Sequence, residues 1–303
     1  MNNNPWKMAI RPKTLPAGAG PVILGLALSY KYLIEASQQY TFSIPVALTT
    51  LLCAILLQVS SNLINDYYDG VKGLDDEKRL GPPRATSLGL LSSHKVRNGF
   101  LLTLLVSFLL GLYLMIIGGV PIIIIGLSSL FFSWAYTGGP FPLSYFGLGE
   151  LFAFIFFGPV AVWGTWFLQT QGVFPHGPAL LWGSSLGLLS AALMGVNNLR
   201  DRYGDQEKGK HTLATILGGR AMRKLIFLMI LASQILAQSI LWKSESFHSF
   251  YALVGLTPLF IFSKVWWGLL RYTEGRELNH VLATVGKYIF LYSITYSLIL
   301  LLL

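Results

Sequence analysis

Charge and cysteine are what this chain has least of. Of its 303 residues only 12% are Asp, Glu, Lys or Arg, against 53% hydrophobic. So few charges cannot solvate the surface of a water-soluble domain of this length, which leaves an integral membrane protein. The single cysteine, Cys53, sits within an apolar run, so no intrachain disulfide is possible and nothing points to redox work there. Histidine is sparse and scattered (His94, His176, His211, His248, His280); only His211 falls near an acidic motif. Acidic residues number 13 against 22 basic ones, a net charge of +9. The cations gather in short loops beside apolar runs, which is a topology signal and not a nucleic-acid stripe.

What the chain does have is long apolar runs, each near the roughly 20 residues that a hydrocarbon core demands. They predict an all-α membrane protein of nine transmembrane helices, at 16–34, 43–66, 99–117, 119–136, 147–169, 179–199, 222–242, 249–270 and 284–303. Only Gly118 and Gly119 separate the third from the fourth, which predicts a tight helical hairpin with Pro121 in a first turn. Lys7, Arg11 and Lys13 followed by an apolar run superficially resemble a signal peptide. No small-residue cleavage site precedes Tyr30, so this is read as the first helix.

Lys and Arg set the orientation. One side takes Lys7, Arg11 and Lys13, six residues of the 67–98 loop, Arg200 to Lys224, and Arg271, Arg276 and Lys287; the other takes Lys31 and Lys243. The N-terminus and both long loops, 67–98 and 200–221, are therefore expected in the cytoplasm and the C-terminus outside, in a cell's inner (plasma) membrane. The two loops would cap a single domain spanning residues 1–303, and loops of such length are usually functional. The cytoplasmic 136–146 segment, YTGGPFPLSYF, is uncharged and reads as a turn at the membrane surface.

The two long loops carry related motifs. Gln58 to Gly73 reads QVSSNLINDYYDGVKG, and Gln58, Asn62, Asn65, Asp66 and Asp69 share one helical face by spacing. Asn62, Asp69, Lys72 and Gly73 recur 136 residues later as Asn198, Asp205, Lys208 and Gly209. The repeat predicts two halves facing one site. Asp66, Asp69, Asp201 and Asp205 stand at the ends of apolar helices, where burial in lipid would cost each about 2.5–3.5 kcal/mol, so they must face a cavity or water. Hard oxygen ligands without His or Cys point to Mg2+. Lys72, Arg79, Arg84, Lys208 and Lys210 beside these acids suit a phosphate–metal complex better than a cation path, and Tyr67, Tyr68 and Tyr203 offer ring faces to a carbocation or anchors at the interface. A diphosphate at a membrane surface above an apolar bundle suggests a lipid diphosphate.

These residues carry a resemblance. The chain resembles the UbiA-type intramembrane aromatic prenyltransferases, whose Asn-Asp-x-x-Asp and Asp-x-x-x-Asp pattern stands here as Asn65–Asp69 and Asp201–Asp205. It is most similar to the branch acting on 1,4-dihydroxy-2-naphthoate in menaquinone synthesis. That likeness lies in RPKTLPAGAGPVILG (Arg11 to Gly25), DYYDGVKG, GPPR (Gly81 to Arg84), YTGGP followed by GLGE (Tyr136 to Glu150), and NNLRDRYGDQEKGKHTLA (Asn197 to Ala214). It departs at position 73, a glycine where many relatives have a third Asp; Asp75 or Asp76 would have to substitute.

The resemblance implies nine helices around a central cavity. It also implies Mg2+ held by the four Asp with Asn62, Asn65 and Asn198, and ionisation of a polyprenyl diphosphate to an allylic cation. Attack by the naphthoate ring would follow, with loss of CO2. Arg11 and Lys13 become candidates for the naphthoate carboxylate or the diphosphate, and Tyr136 and Glu150 for the pocket, although a carboxylate at a helix start is also what the dipole favours. Competing readings are another acceptor (4-hydroxybenzoate, homogentisate or haem), a secondary transporter, whose acids would sit mid-helix, and a CDP-alcohol phosphotransferase, whose Asp-Gly-x-x-Ala-Arg is missing at Asp69.

Overall fold

An apolar run satisfies its own backbone hydrogen bonds only as a helix, and helices are what the chain forms. The computed structural model describes residues 4–36, 41–71, 80–139, 142–243, 249–271 and 274–303. Its helices are α1 (Pro5–Ile10), α2 (Leu15–Glu35), α3 (Ile44–Val71), α4 (Ser93–Ala135), α5 (Gly149–Ile155), α6 (Ala161–Thr170), α7 (Gly177–Glu207), α8 (Leu213–Trp242), α9 (Ser249–Ile261), α10 (Ser263–Arg271) and α11 (Leu278–Leu302). No strand occurs among the described residues. Seven helical stretches are long and apolar enough to cross a membrane, and α9 with α10, bent by 49°, makes an eighth if taken as one span.

The expected break at Gly118 and Gly119 is present within α4. Gly119 takes φ 61°, ψ −151°, a conformation open to glycine alone. Past it the chain turns back: Met115 Cε lies 2.4 Å from where a Cβ on Gly126 would stand. Eleven residues along a straight helix would separate them by about 16 Å.

The two long loops are shorter than hydropathy suggests. Helix α3 continues to Val71, α7 continues through the polar Arg200 to Glu207, and α8 begins at Leu213 with a break at Gly218. Only 208–212 lies between α7 and α8, capped by Thr212, whose side chain accepts from the Thr215 amide at 3.3 Å. Of the first loop, residues 80–92 are described as a series of turns ending at the Ser92 cap of α4. Lys72, Gly73, Asp75, Asp76 and Arg79 lie outside the described residues.

Helix α7 is the centre of the bundle: 67% of its apolar window is buried, against 22% for α4. It can be central because Gly183 and Gly187, four apart, let the broken α5–α6 unit approach its backbone. A Cβ at Gly187 would stand 2.5 Å from the Phe154 carbonyl oxygen, and one at Gly183 2.6 Å from Pro159 Cα. Around α7 pack α8 and α11, while α3 pairs with α4 and α2 with α11 and α6. At one end of the bundle Ser43 and Gln169 exchange two hydrogen bonds of 2.9 Å, joining the start of α3 to the end of α6. Helix α7 starts at that same end, so the acidic ends of α3 and α7 both lie at the opposite one. Gly187→Leu should force the α5–α6 backbone off α7 and destabilise the protein by about 1–3 kcal/mol, read as a lowered thermal unfolding midpoint in detergent with Gly204→Ala as the unaffected control.

Candidate active site

Helix α3 brings the first motif to the site as its spacing requires. Thr50, Cys53, Ala54, Leu57, Gln58, Ser61, Asn62 and Asn65 recur every three or four residues and all line one cavity of about 760 Å³. The same face runs on to Asp66 and Asp69, but the 80–91 segment folds over those two. Arg84 forms an ion pair with Asp69 and donates to the Asn65 carbonyl. Thr86 Oγ1 donates to Asp66 Oδ1 at 2.6 Å. The other Asp66 oxygen, Oδ2, is buried with no hydrogen-bond partner among the described residues. Asn62 Nδ2 donates to the Ile10 carbonyl at 2.8 Å and to Thr14 Oγ1 at 2.9 Å, fixing the N-terminal segment against α3. Between them Arg11 takes the left-handed region (φ 54°), rare for a side-chain-bearing residue, and with Lys13 lines the cavity.

The second motif is built the same way with different partners. Asp205 pairs with Lys210 Nζ at 3.3 Å, and the Lys210 amide donates to the Asp205 carbonyl at 2.8 Å. Asn198, the counterpart of Asn62, donates Nδ2 to Glu150 Oε1 at 2.9 Å. Glu150 Oε2 is buried without a hydrogen-bond partner among the described residues. Asp201 receives both Nε and Nη2 of Arg200, at 2.8 and 2.6 Å. Arg200 also reaches Asn197 and Asn279. Its side chain is buried, and it lines the cavity together with Asn197 and Asn279.

The turn after α4 joins the two motifs. Thr137 Oγ1 donates to Asn65 Oδ1, while the neighbouring Tyr136 hydroxyl donates to Met194 Sδ at 3.3 Å. Burial first, and then the negative charges of Glu150, Asp205 and Asp69, push the Tyr136 phenol up, so it stays a neutral donor between the two sets of acids. Gly149 lets that hydroxyl approach closely, since a Cβ there would stand 2.8 Å from it.

Of the predicted residues, Asn62, Asn65, Arg11, Lys13 and Tyr136 line the cavity, whereas the four Asp, Asn198, Glu150, Arg84, Lys208 and Lys210 are not part of its lining. The tyrosines chosen for a cation are elsewhere. Tyr67 packs on Phe100 and Tyr68, and Tyr68 accepts a 2.9 Å hydrogen bond from Trp134, all in the α3–α4 seam. Tyr203 is 59% exposed beneath Arg202. The rings that do face the cavity are Phe132, Phe152, Phe156 and Phe157; Phe132 lies 4.8 and 5.2 Å from Phe152 and Phe156. The aromatic runs around YTGGP and GLGE were the signal for them. Arg200 was missed because, in sequence, it counts as one more topology charge.

Among the described residues no three of His, Cys, Asp and Glu gather as a metal-holding group. The donors at hand are carboxylate and amide oxygens in two sets, with one open oxygen on Asp66, and they suit an ion held by one or two carboxylates and by its ligand's phosphates. Arg84→Met should leave Asp69 buried without its counter-charge and cost about 3–5 kcal/mol. Adding Asp69→Leu should recover most of that loss, as read by thermal unfolding of the single and double variants.

The model of the UbiA prenyltransferase family matches residues 20–299. The 1,4-dihydroxy-2-naphthoate octaprenyltransferase of Escherichia coli is 34% identical over 84% of this chain and 82% of its own length. The enzyme of that name from Haemophilus influenzae is 33% identical over 97% of this chain and 94% of its own. Among solved structures, a UbiA homolog from Archaeoglobus fulgidus bound to DMAPP and Mg2+ shares the fold, with a TM-score of 0.63 at 16% identity over 99% of this chain and 100% of that one. The same homolog bound to GPP and Mg2+ gives 0.64 at 14% identity, covering 99% and 100%. The chain is a member of the UbiA prenyltransferase family.

Proposed function

We propose that this protein transfers a polyprenyl group from a prenyl diphosphate to 1,4-dihydroxy-2-naphthoate, releasing diphosphate and CO2 and giving demethylmenaquinol. The observation that carries this reading is the cavity, with Asn62, Asn65, Asn197, Arg11, Lys13 and Arg200 among its polar lining and Phe132, Phe152, Phe156 and Leu168 among its apolar lining. Such a lining accepts a charged head and an isoprenoid tail. Identities above 30% to enzymes named for the naphthoate acceptor support the choice of ring.

In this reading Asp66, Asp69, Asp201 and Asp205, with the neighbouring Asn62, Asn65 and Asn198, hold Mg2+. When bound with the diphosphate, the ion supplies positive charge that eases departure of the leaving group. Arg84, Lys208 and Lys210, with Lys72 and Arg79, steady the diphosphate. Phe132, Phe152 and Phe156 exclude water from the allylic cation and offer it their ring faces. Arg11, Lys13 or Arg200 takes the naphthoate carboxylate and aims the ring carbon that bears it at the cation; Tyr136 and Glu150 belong to the same pocket. The new carbon–carbon bond forms once the diphosphate has left, the ring carbon supplying the electron pair to the allylic cation. CO2 then departs and its electron pair restores the aromatic ring. The dihydroxy ring activates itself, so the protein contributes positioning and electrostatics more than a strong base.

The single domain would lie in the plasma membrane with the N-terminus and both motifs in the cytoplasm. Counting the two arms of α4 and the bent α9–α10 pair as spans gives nine and leaves the C-terminus outside. That count and the excess of Lys and Arg at the motif end support this orientation.

Purified protein with Mg2+ and a radiolabelled prenyl diphosphate should yield a prenylated, decarboxylated naphthoquinol from 1,4-dihydroxy-2-naphthoate and no product from 4-hydroxybenzoate. Product from the benzoate alone would replace the acceptor; no product from either would sink the reading. Chelating the metal should stop turnover. Asp66→Asn and Asp205→Asn should each lower turnover at least about 100-fold while the protein still inserts and folds, and near-normal rates in either would remove that acid from the site.

A further inference from the structure

Asn279, at the start of α11, sits between the two motifs and touches both sides. Its Oδ1 accepts from Arg200 Nη1 at 2.9 Å, and its Nδ2 donates to the Leu80 carbonyl at 2.8 Å, across 199 residues of chain. A side-chain amide does both at once through separate atoms, Oδ1 accepting and Nδ2 donating. Neither partner is incidental. Arg200 is buried and gives both Nε and Nη2 to Asp201 of motif two. Leu80 opens the segment in which Pro82 and Pro83 line the cavity and Arg84 pairs with Asp69 of motif one. We infer that Asn279 is a positioning residue: it clasps the 80–91 segment to Arg200, so that Arg84 over motif one and Asp201 in motif two are held in one register across the cavity. Sequence gives no hint of this, because Asn279 belongs to neither motif.

The clasp at Leu80 adds to the anchors that Arg84 and Thr86 give the segment on Asp69, Asn65 and Asp66. Within 80–91 the amides of Leu88, Gly89, Leu90 and Leu91 are bonded to carbonyls of the same segment (Arg84, Thr86 and, twice, Ala85). They therefore report how firmly the segment is seated. A misplacement on the order of 1 Å of Arg84 would be enough to cost transfer substantially.

The test has two readouts on purified full-length protein. In the first, hydrogen–deuterium exchange followed by mass spectrometry compares peptides covering 80–91 in the parent, Asn279→Ala, Asn279→Asp and Asn279→Gln. Exchange there should quicken about tenfold in Asn279→Ala and in Asn279→Asp, which keeps the acceptor for Arg200 but loses the donor for Leu80. It should stay closer to the parent in Asn279→Gln, which keeps both groups. The second readout is kinetic and rests on the function proposed above: kcat/KM for the prenyl diphosphate should fall about tenfold in the Ala and Asp variants, mainly through KM, with the thermal midpoint held.

Unchanged exchange across 80–91 in folded Asn279→Asp would overturn the clasp, and so would equal exchange in the Gln and Ala variants. If Asn279→Ala fails to fold, the near-isosteric Asp variant carries the comparison. A parent protein that transfers no prenyl group, with quickened exchange in the variants, would count against the proposed function and leave the clasp standing.

Discussion

A carboxylate at the end of an apolar helix cannot be left half-desolvated, and the architecture of the motif end follows from that. Asp69 is met by Arg84, Asp66 by Thr86, Asp201 by Arg200 and Asp205 by Lys210. Leaving any buried acid of this kind without its partner costs several kcal/mol. Three of the four partners come from chain that follows the motif, at 84, 86 and 210, so the connections are folded back by the acids they cover. In the function proposed above, a diphosphate arriving with its own counter-ion would take over Arg84 and Lys210 without stranding the acids, because the metal would replace the lost positive charge. Resting pairs of this kind would then keep the empty site stable.

The two motifs repeat in sequence but are not used alike. Helix α7 is central, with α5–α6 close against Gly183 and Gly187 and with α8 and α11 also packed on it, so its motif is reached by the cavity chiefly at Asn197 and Arg200. Helix α3 is peripheral, with only 28% of its apolar window buried, and gives the cavity a continuous wall from Thr50 to Asn65. The two equivalent asparagines show the same divergence: Asn62 anchors the N-terminal segment that carries Arg11 and Lys13, while Asn198 anchors Glu150. One repeated pattern therefore organises two different sides of the site.

Much of this was legible because periodicity dictates faces. The spacing of Gln58, Asn62 and Asn65 placed them together, the Gly118–Gly119 pair marked the reversal in α4, and the YTGGP turn was singled out before its role as a bridge was visible. Hydropathy misjudged the connections, since Arg200 to Glu207 is polar and yet simply continues α7. It also misjudged the aromatics. Tyr67, Tyr68 and Tyr203 adjoin the acids in sequence, but on a helix immediate neighbours point about 100° apart, and two of these three turn into the α3–α4 seam while the third faces outward. Partnerships such as Arg200 with Asn279, or Asn62 with Ile10, depend on contacts between distant segments, which no local pattern records.

The cavity's polarity then constrains where chemistry of the proposed kind can happen. From Thr50 to Asn65 its α3 wall spans about 22 Å, running from apolar to amide-lined. On α4, Ser129, Phe132 and Ser133 line it, and so does Tyr136 at the C-cap, so the Phe132 backbone stands about one helical turn below that of Tyr136. A diphosphate held among the charges at the motif end would therefore place its first prenyl carbons at the level of Phe132. Bond breaking would occur where the last polar donor and the first ring face meet. Charge separation at that boundary is assisted on both sides: the leaving anion moves toward the cations, and the developing carbocation meets aromatic faces and no bulk water. A boundary one turn higher would expose the cation to solvent, and one turn lower would pull the diphosphate into hydrocarbon. In the proposed reading, the spacing of Phe132 from Tyr136 at the cap of α4 would set that boundary.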